Sequence, residues 1–233
     1  MICEDFYKSI GLSRPQPLDK SDRIKFNRFV FQNYFLPKME KCKEMGHYIQ
    51  LSESDLKFLK SFCDKKVKAK NQEWKSFDNK NRAKREMTGA GIEYAVLKYF
   101  NKENEFDDSI VSDSNKRNHP DLLPVGILCD VKGSSMNNVP LVFKRRRTYT
   151  CNIGNYMGHR YRCANVIGVF NQDFVWLLGI ASPRILEECV DDNLIMMTNN
   201  TSKTGFYGID QLEEIPSNWN DFKIKCSEKS LVL

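Results

Sequence analysis

Apolar residues recur at helical spacing in the first hundred positions and crowd into shorter, strand-like runs after that. Ile24, Phe26, Phe29, Val30, Tyr34 and Phe35 mark one stretch, preceded by Ser21-Asp22 as a cap and closed by Pro37, so a helix ending at that proline is expected. Leu56, Leu59, Phe62, Cys63 and Val67 share one face of a second, which Ser52-x-x-Asp55 opens with a capping-box pattern. Ile92, Val96, Tyr99 and Phe100 predict a third over residues 86–103. The period then shortens, predicting strands at 107–113, 119–123, 126–132, 164–170 and 174–181. Asn171-Gln172-Asp173 turns between the last two strands, residues 133–163 form a basic loop or helix, and Ser182-Pro183 starts a closing helix.

That order describes an α/β protein: a core over residues 86–233 with a mixed central β-sheet flanked by helices, and a basic, helical N-terminal extension over residues 1–85. The extension's helices each have one apolar face and need the core to pack on. A chain of 233 residues with 41% hydrophobic content can bury a full core. The longest apolar stretch, Phe174 to Ala181, is of strand length, and the start Met-Ile-Cys-Glu-Asp lacks the basic-then-apolar pattern of a signal peptide. No membrane association is expected, and the location is cytoplasmic, or nuclear in a eukaryotic host. The eight cysteines show no Cys-x-x-Cys pair, so reduced, buried thiols are the default.

Charge sharpens the picture through its distribution. Residues 57–85 hold eleven Lys/Arg against three acids, and residues 131–172 contain no Asp or Glu at all. From residue 183 onward nine acids face five bases. A molecule basic on one side suits a polyphosphate partner, because each Lys or Arg near a phosphate releases condensed counterions. Lys144, Arg145, Arg146 and Arg147 are candidates for phosphate contact, and the acid-free stretch around His159, Arg160 and Arg162, with two tyrosines, suits phosphate contact and base stacking.

Candidate chemistry lies between the two basic segments, in the run from His119-Pro120-Asp121 to Asp130-Val131-Lys132-Gly133. On a strand, Asp130 and Lys132 project to one face while Val131 points to the other. Asp121 arrives from the preceding segment. Two acids converging beside a lysine make a hard oxygen site suited to Mg2+ or Mn2+. Charges at the end of an apolar strand are costly to bury unless they are paired or bind a metal. Glu93, on the third predicted helix, is the candidate third acid, with Glu86 and Asp107 as alternatives.

In order and spacing, Glu93, Pro120-Asp121 and Asp130-Val131-Lys132 resemble the PD-(D/E)XK nuclease superfamily, over roughly residues 86–181. The resemblance implies a restriction-endonuclease-like fold and a Mg2+-dependent hydrolysis of phosphodiester bonds, with Mn2+ as a substitute. It implies that Glu93, Asp121, Asp130 and the Val131 carbonyl hold the metal, that Lys132 acts on the attacking water or the phosphate, and that cleavage leaves a 5'-phosphate. The Gln-x-x-x-Tyr helix of the superfamily's exonuclease branch is missing, and so is a four-cysteine cluster site, which points towards an endonuclease acting on duplex DNA. A homodimer would suit the cutting of two antiparallel strands. The alternatives are a non-catalytic nucleic-acid-binding protein on the same fold, and an RNA endonuclease.

Overall fold

The computed structural model describes residues 5, 8–12, 20–73, 79–106, 120–136, 150–152, 163–186, 204–206 and 209–227. Within them a four-stranded open sheet is built from β1 (Tyr48–Gln50), β2 (Cys129–Ser135), β4 (Ala164–Asn171) and β5 (Phe174–Ala181), while β3 (Thr150–Asn152) pairs only with β6 (Thr204–Phe206). The order is β1-β5-β4-β2, with β1 and β4 antiparallel to β5 and β2 parallel to β4. The sheet is therefore mixed, and β2 lies at its edge. The helices are α1 (Lys20–Val30), α2 (Leu36–Glu44), α3 (Glu53–Glu73), α4 (Asn79–Tyr99) and α5 (Trp219–Ser227).

The expected β4 and β5 form at their predicted places, because both are apolar enough to be buried on two faces. The Asn171–Asp173 turn joins them, with Gln172 taking the positive φ of 57° that a tight reversal needs. Alternation then splits the core. Val166, Phe170, Val175 and Leu177 pack with α3 and α4, whereas Ile167, Val169, Trp176 and Leu178 pack with Phe35, Met39 and Cys42 near and within α2.

The capping box also forms as expected. The Ser52 N–H donates to Asp55 Oδ2 at 2.8 Å and the Asp55 N–H donates to the Ser52 hydroxyl at 3.2 Å, opening α3. Asp55 further accepts from Tyr94 and Lys98 of α4. Burial works against its carboxylate, but these donors outweigh it and hold the pKa at about 2.

Several expectations need correction. Pro37 does not end the first helix: a π-helical turn, Phe31–Phe35, leads into α2, where the proline occupies the first turn and its missing N–H costs nothing. Residues 120–123 are not a strand. Pro120 and Leu122 offer their carbonyls to Leu123 and Val125, and a 3-10 turn over Leu123–Val125 ends at Gly126 with φ of 78°. The next strand starts at Cys129 and runs to Ser135, later than the expected 126–132. The third helix starts earlier than expected, at Asn79, so the 85/86 boundary falls inside α4. β1, from the N-terminal segment, joins the sheet as its other edge. The expected strand at 107–113 lies outside the described residues, as does all of the closing helix beyond residue 186.

How α4 meets the sheet determines where Glu93 stands. Gly133 and Gly168 are register partners on β2 and β4, and Ile92 fills the notch between them. A Cβ on Gly168 would lie 2.5 Å from Ile92 Cγ2 and 3.2 Å from the Trp176 carbonyl oxygen, and one on Gly133 would clash with Ile92 Cδ1 and the Gly168 carbonyl. Gly91, whose place in a helix costs about 1 kcal/mol relative to Ala, lets the Phe170 ring approach: a Cβ there would be 2.7 Å from its edge. α4 ends through Asn101, which takes φ of 56° while the Lys102 N–H returns to the Leu97 carbonyl at 2.8 Å.

Gly168→Ala is therefore expected to destabilise the fold by about 2 kcal/mol, the usual cost of overpacking a close contact, measured by urea denaturation. Ile92→Ala should relieve part of that cost in the double variant. Strictly additive effects would show that Ile92 and Gly168 do not share the notch.

Candidate functional site

Asp130 and Lys132 sit on the same face of β2, and Lys132 Nζ lies 3.0 Å from Asp130 Oδ2. Asp130 is 5% exposed, whereas nearly half of the Lys132 side chain is open to solvent. The pair is thus anchored by its carboxylate and presented by its ammonium. Val131 points the other way, into the core with Ile92 and Val166.

Asp121 reaches this strand on the side away from β4. Its Oδ2 accepts the Val131 N–H at 2.7 Å, and the neighbouring Leu122 N–H donates to the Cys129 carbonyl at 3.0 Å. The turn after Pro120 therefore docks on β2 through two hydrogen bonds without becoming a strand, and one of them is made by the candidate carboxylate itself. In an extended chain the N–H and C=O of one residue point to the same side, so the Val131 carbonyl also faces the Asp121 edge. Burial raises the Asp121 pKa above the usual carboxylate range; Asp130 pushes it further up, while Lys132, the Val131 N–H and Lys66 pull it down without cancelling the rise. Burial likewise opposes the Lys132 ammonium, but Asp121 and Asp130 overcome it and its pKa is raised.

Glu93 is buried at 8% exposure on α4. It faces a residue that the sequence pattern did not single out: Lys66 on α3, whose Nζ is 3.2 Å from Glu86 Oε2. Burial disfavours the Lys66 ammonium, yet Glu86, Glu93 and Asp121 together raise its pKa. Asp121 thus feels the charge of both lysines, Lys132 and the Lys66 that also answers Glu86 and Glu93. Nothing in the sequence marked Lys66 among the other bases of residues 57–85, because only tertiary packing decides which of them turns inward.

Cys163 is buried beside Asp130; burial first, then the neighbouring Asp130 charge, pushes its thiol up to about 12. Such a thiol is inert at neutral pH and no candidate nucleophile. The other expected contact residues, Lys144, Arg145, Arg146, Arg147, His159, Arg160 and Arg162, lie outside the described residues, as do Asp107 and His119. Among the described residues, no group of three or more His, Cys, Asp or Glu side chains is gathered as a metal cluster.

The chain was compared with protein-family models, with curated proteins and with solved structures, and none of them matches.

Lys66 balances buried carboxylates, which makes Lys66→Met costly. Because its folded pKa lies above 10.5, its contribution is complete below that pH and is lost as pH rises through the folded value. Chemical denaturation at neutral pH should find the variant less stable by about 2 kcal/mol, and the gap should narrow in strong alkali. Equal stability at neutral pH would mean that this ammonium compensates nothing.

Proposed function

We propose that this protein is a metal-dependent endonuclease acting on duplex DNA, built on a restriction-endonuclease-like core of the PD-(D/E)XK type. One observation carries the reading: Asp130 and Lys132 share one face of a strand that is at the sheet's edge among the described residues, and the Asp121 carboxylate docks on the side of that strand away from β4. That is the arrangement a phosphodiester-cleaving site needs, with two acids to gather a cation and an ammonium beside them.

The donor set fits Mg2+. The oxygens of Asp121, Asp130 and the Val131 carbonyl are hard ligands, and Glu93 adds a third carboxylate to the same electrostatic neighbourhood. Four carboxylates, Glu86, Glu93, Asp121 and Asp130, and two ammoniums, Lys66 and Lys132, meet in this neighbourhood, an acidic setting that suits a divalent cation. The raised pKa of Asp121 comes first from burial, a desolvation that a bound cation would offset.

Bound there, Mg2+, or Mn2+ in its place, would supply charge stabilisation to a phosphate oxygen and lower the pKa of a nearby water. The remaining work falls to the chain. Lys132, exposed and held by Asp130, can donate to a non-bridging phosphate oxygen as charge builds on it, or orient the attacking water. Being an ammonium with three donors on a flexible stem, it serves either geometry. Asp121 is held at the strand by its bond to the Val131 N–H, and in-line attack with departure of the 3'-oxygen on the opposite side is what the resemblance to the nuclease superfamily implies. A 5'-phosphate and a 3'-hydroxyl are the expected ends.

The test is incubation of the purified protein with supercoiled plasmid, linear duplex, single-stranded DNA and RNA, in Mg2+, Mn2+ or EDTA. Nicking or linearisation that requires a divalent ion is expected, and Lys132→Ala and Asp130→Ala should each lower it by on the order of 10³-fold with little change in DNA binding. Wild-type rates in Lys132→Ala would exclude this site; preferential cutting of RNA would change the substrate and leave the site in place.

A further inference from the structure

α3 has two functional faces. The inward face carries Lys66 to the carboxylates. The outward face carries Lys57, Lys60, Ser61, Asp64, Lys65 and Lys68, which line a shallow depression of about 410 Å3. These positions recur at i, i+3, i+4, i+7, i+8 and i+11, so they form one continuous stripe along the helix. All six are exposed. Four lysines against one aspartate give the depression a formal charge of +3 (four minus one).

We propose that this stripe is a binding surface for the phosphodiester backbone of a duplex, a contact that deepens the endonuclease reading by naming how substrate is held beside the site. Three features select that partner. From Lys57 to Lys68 the stripe spans about 16 Å at 1.5 Å per residue, enough to follow a few successive phosphates. It holds cations and a hydroxyl but no aromatic ring, so it lacks the stacking platform that single-stranded nucleic acids use. And it lies on the helix whose opposite face is tied to Glu86 and, through charge, to Glu93 and Asp121, so a backbone lying along it is held by the same rigid element that borders the carboxylates. Lys57 is partly engaged by Glu53 at 2.7 Å, which leaves Lys60, Lys65 and Lys68 as the principal contacts.

The experiment is fluorescence anisotropy with a labelled duplex in EDTA, where binding is read without cleavage, over a range of salt concentrations. The variant is Lys60→Gln, Lys65→Gln and Lys68→Gln together; glutamine keeps helix propensity close to that of lysine, and circular dichroism checks that the fold is retained. A control carries Lys25→Gln, Lys43→Gln and Lys223→Gln, an equal loss of charge from exposed positions elsewhere. Each lost phosphate contact removes about 0.9 from the slope of log affinity against log salt, so the stripe variant should lose between two and three from that slope and bind at least about tenfold more weakly at moderate salt, while the control stays near wild type. An unchanged slope, an equal loss in the control, single-stranded DNA bound as strongly as duplex, or a loss seen only with anionic lipid vesicles would each overturn the proposal. Its failure is separable from failure of the nuclease reading: metal-dependent cutting by a protein whose stripe variant binds normally removes the stripe alone, and stripe-dependent binding without cutting removes the chemistry alone.

Discussion

The seating of Ile92 in the notch between Gly133 and Gly168 is the contact on which the site geometry depends. A helix packed over ordinary β-branched residues would stand farther from the sheet. Here two strands give up their side chains at one register position, and α4 presses close enough for its next residue, Glu93, to be buried at the border with α3. The same notch lies on the strand that bears Asp130 and Lys132, so the helix and the strand are placed relative to each other by the Ile92 side chain seated directly against glycine backbone.

Charge compensation is the second constraint, and it is distributed. Asp130 is answered by Lys132 on its own strand, Glu86 and Glu93 by Lys66 from another helix, and Asp121 by both lysines and by the Val131 N–H. Buried carboxylates in such number are tolerable only when every one has a cation or a donor. The proposed divalent ion would add to that compensation at Asp121 and Asp130.

Much of this could be read from the chain alone, for identifiable reasons. β4 and β5 are so uniformly apolar, and so plainly interrupted at Asn171–Asp173, that no other structure suits them. The reciprocal bonds of Ser52 and Asp55 are local and therefore visible in four residues. The pairing of Asp130 with Lys132 follows from strand alternation alone. What escaped notice depends on distant partners. β1 is three residues long and exists because β5 offers it an edge, and α5 shows little periodicity although Asn218 caps it and Phe222 anchors it. The misread strand at Asp121 had its own warnings, since Pro120, Pro124 and Gly126 all favour a turn. A docked turn nonetheless brings the Asp121 carboxylate to the same strand as Asp130 and Lys132, as a paired strand would.

In the proposed function Asp121 and Asp130 form one cation site with Lys132 as its neighbour. The most direct test is titration of Mn2+ into the protein, followed by electron paramagnetic resonance of the free ion, for the wild type, Asp121→Asn and Asp130→Asn. Saturable binding in the wild type that weakens by at least about tenfold in each variant, a loss of at least 1.4 kcal/mol, is the predicted result. Undiminished binding in both variants, or none in the wild type, would contradict it.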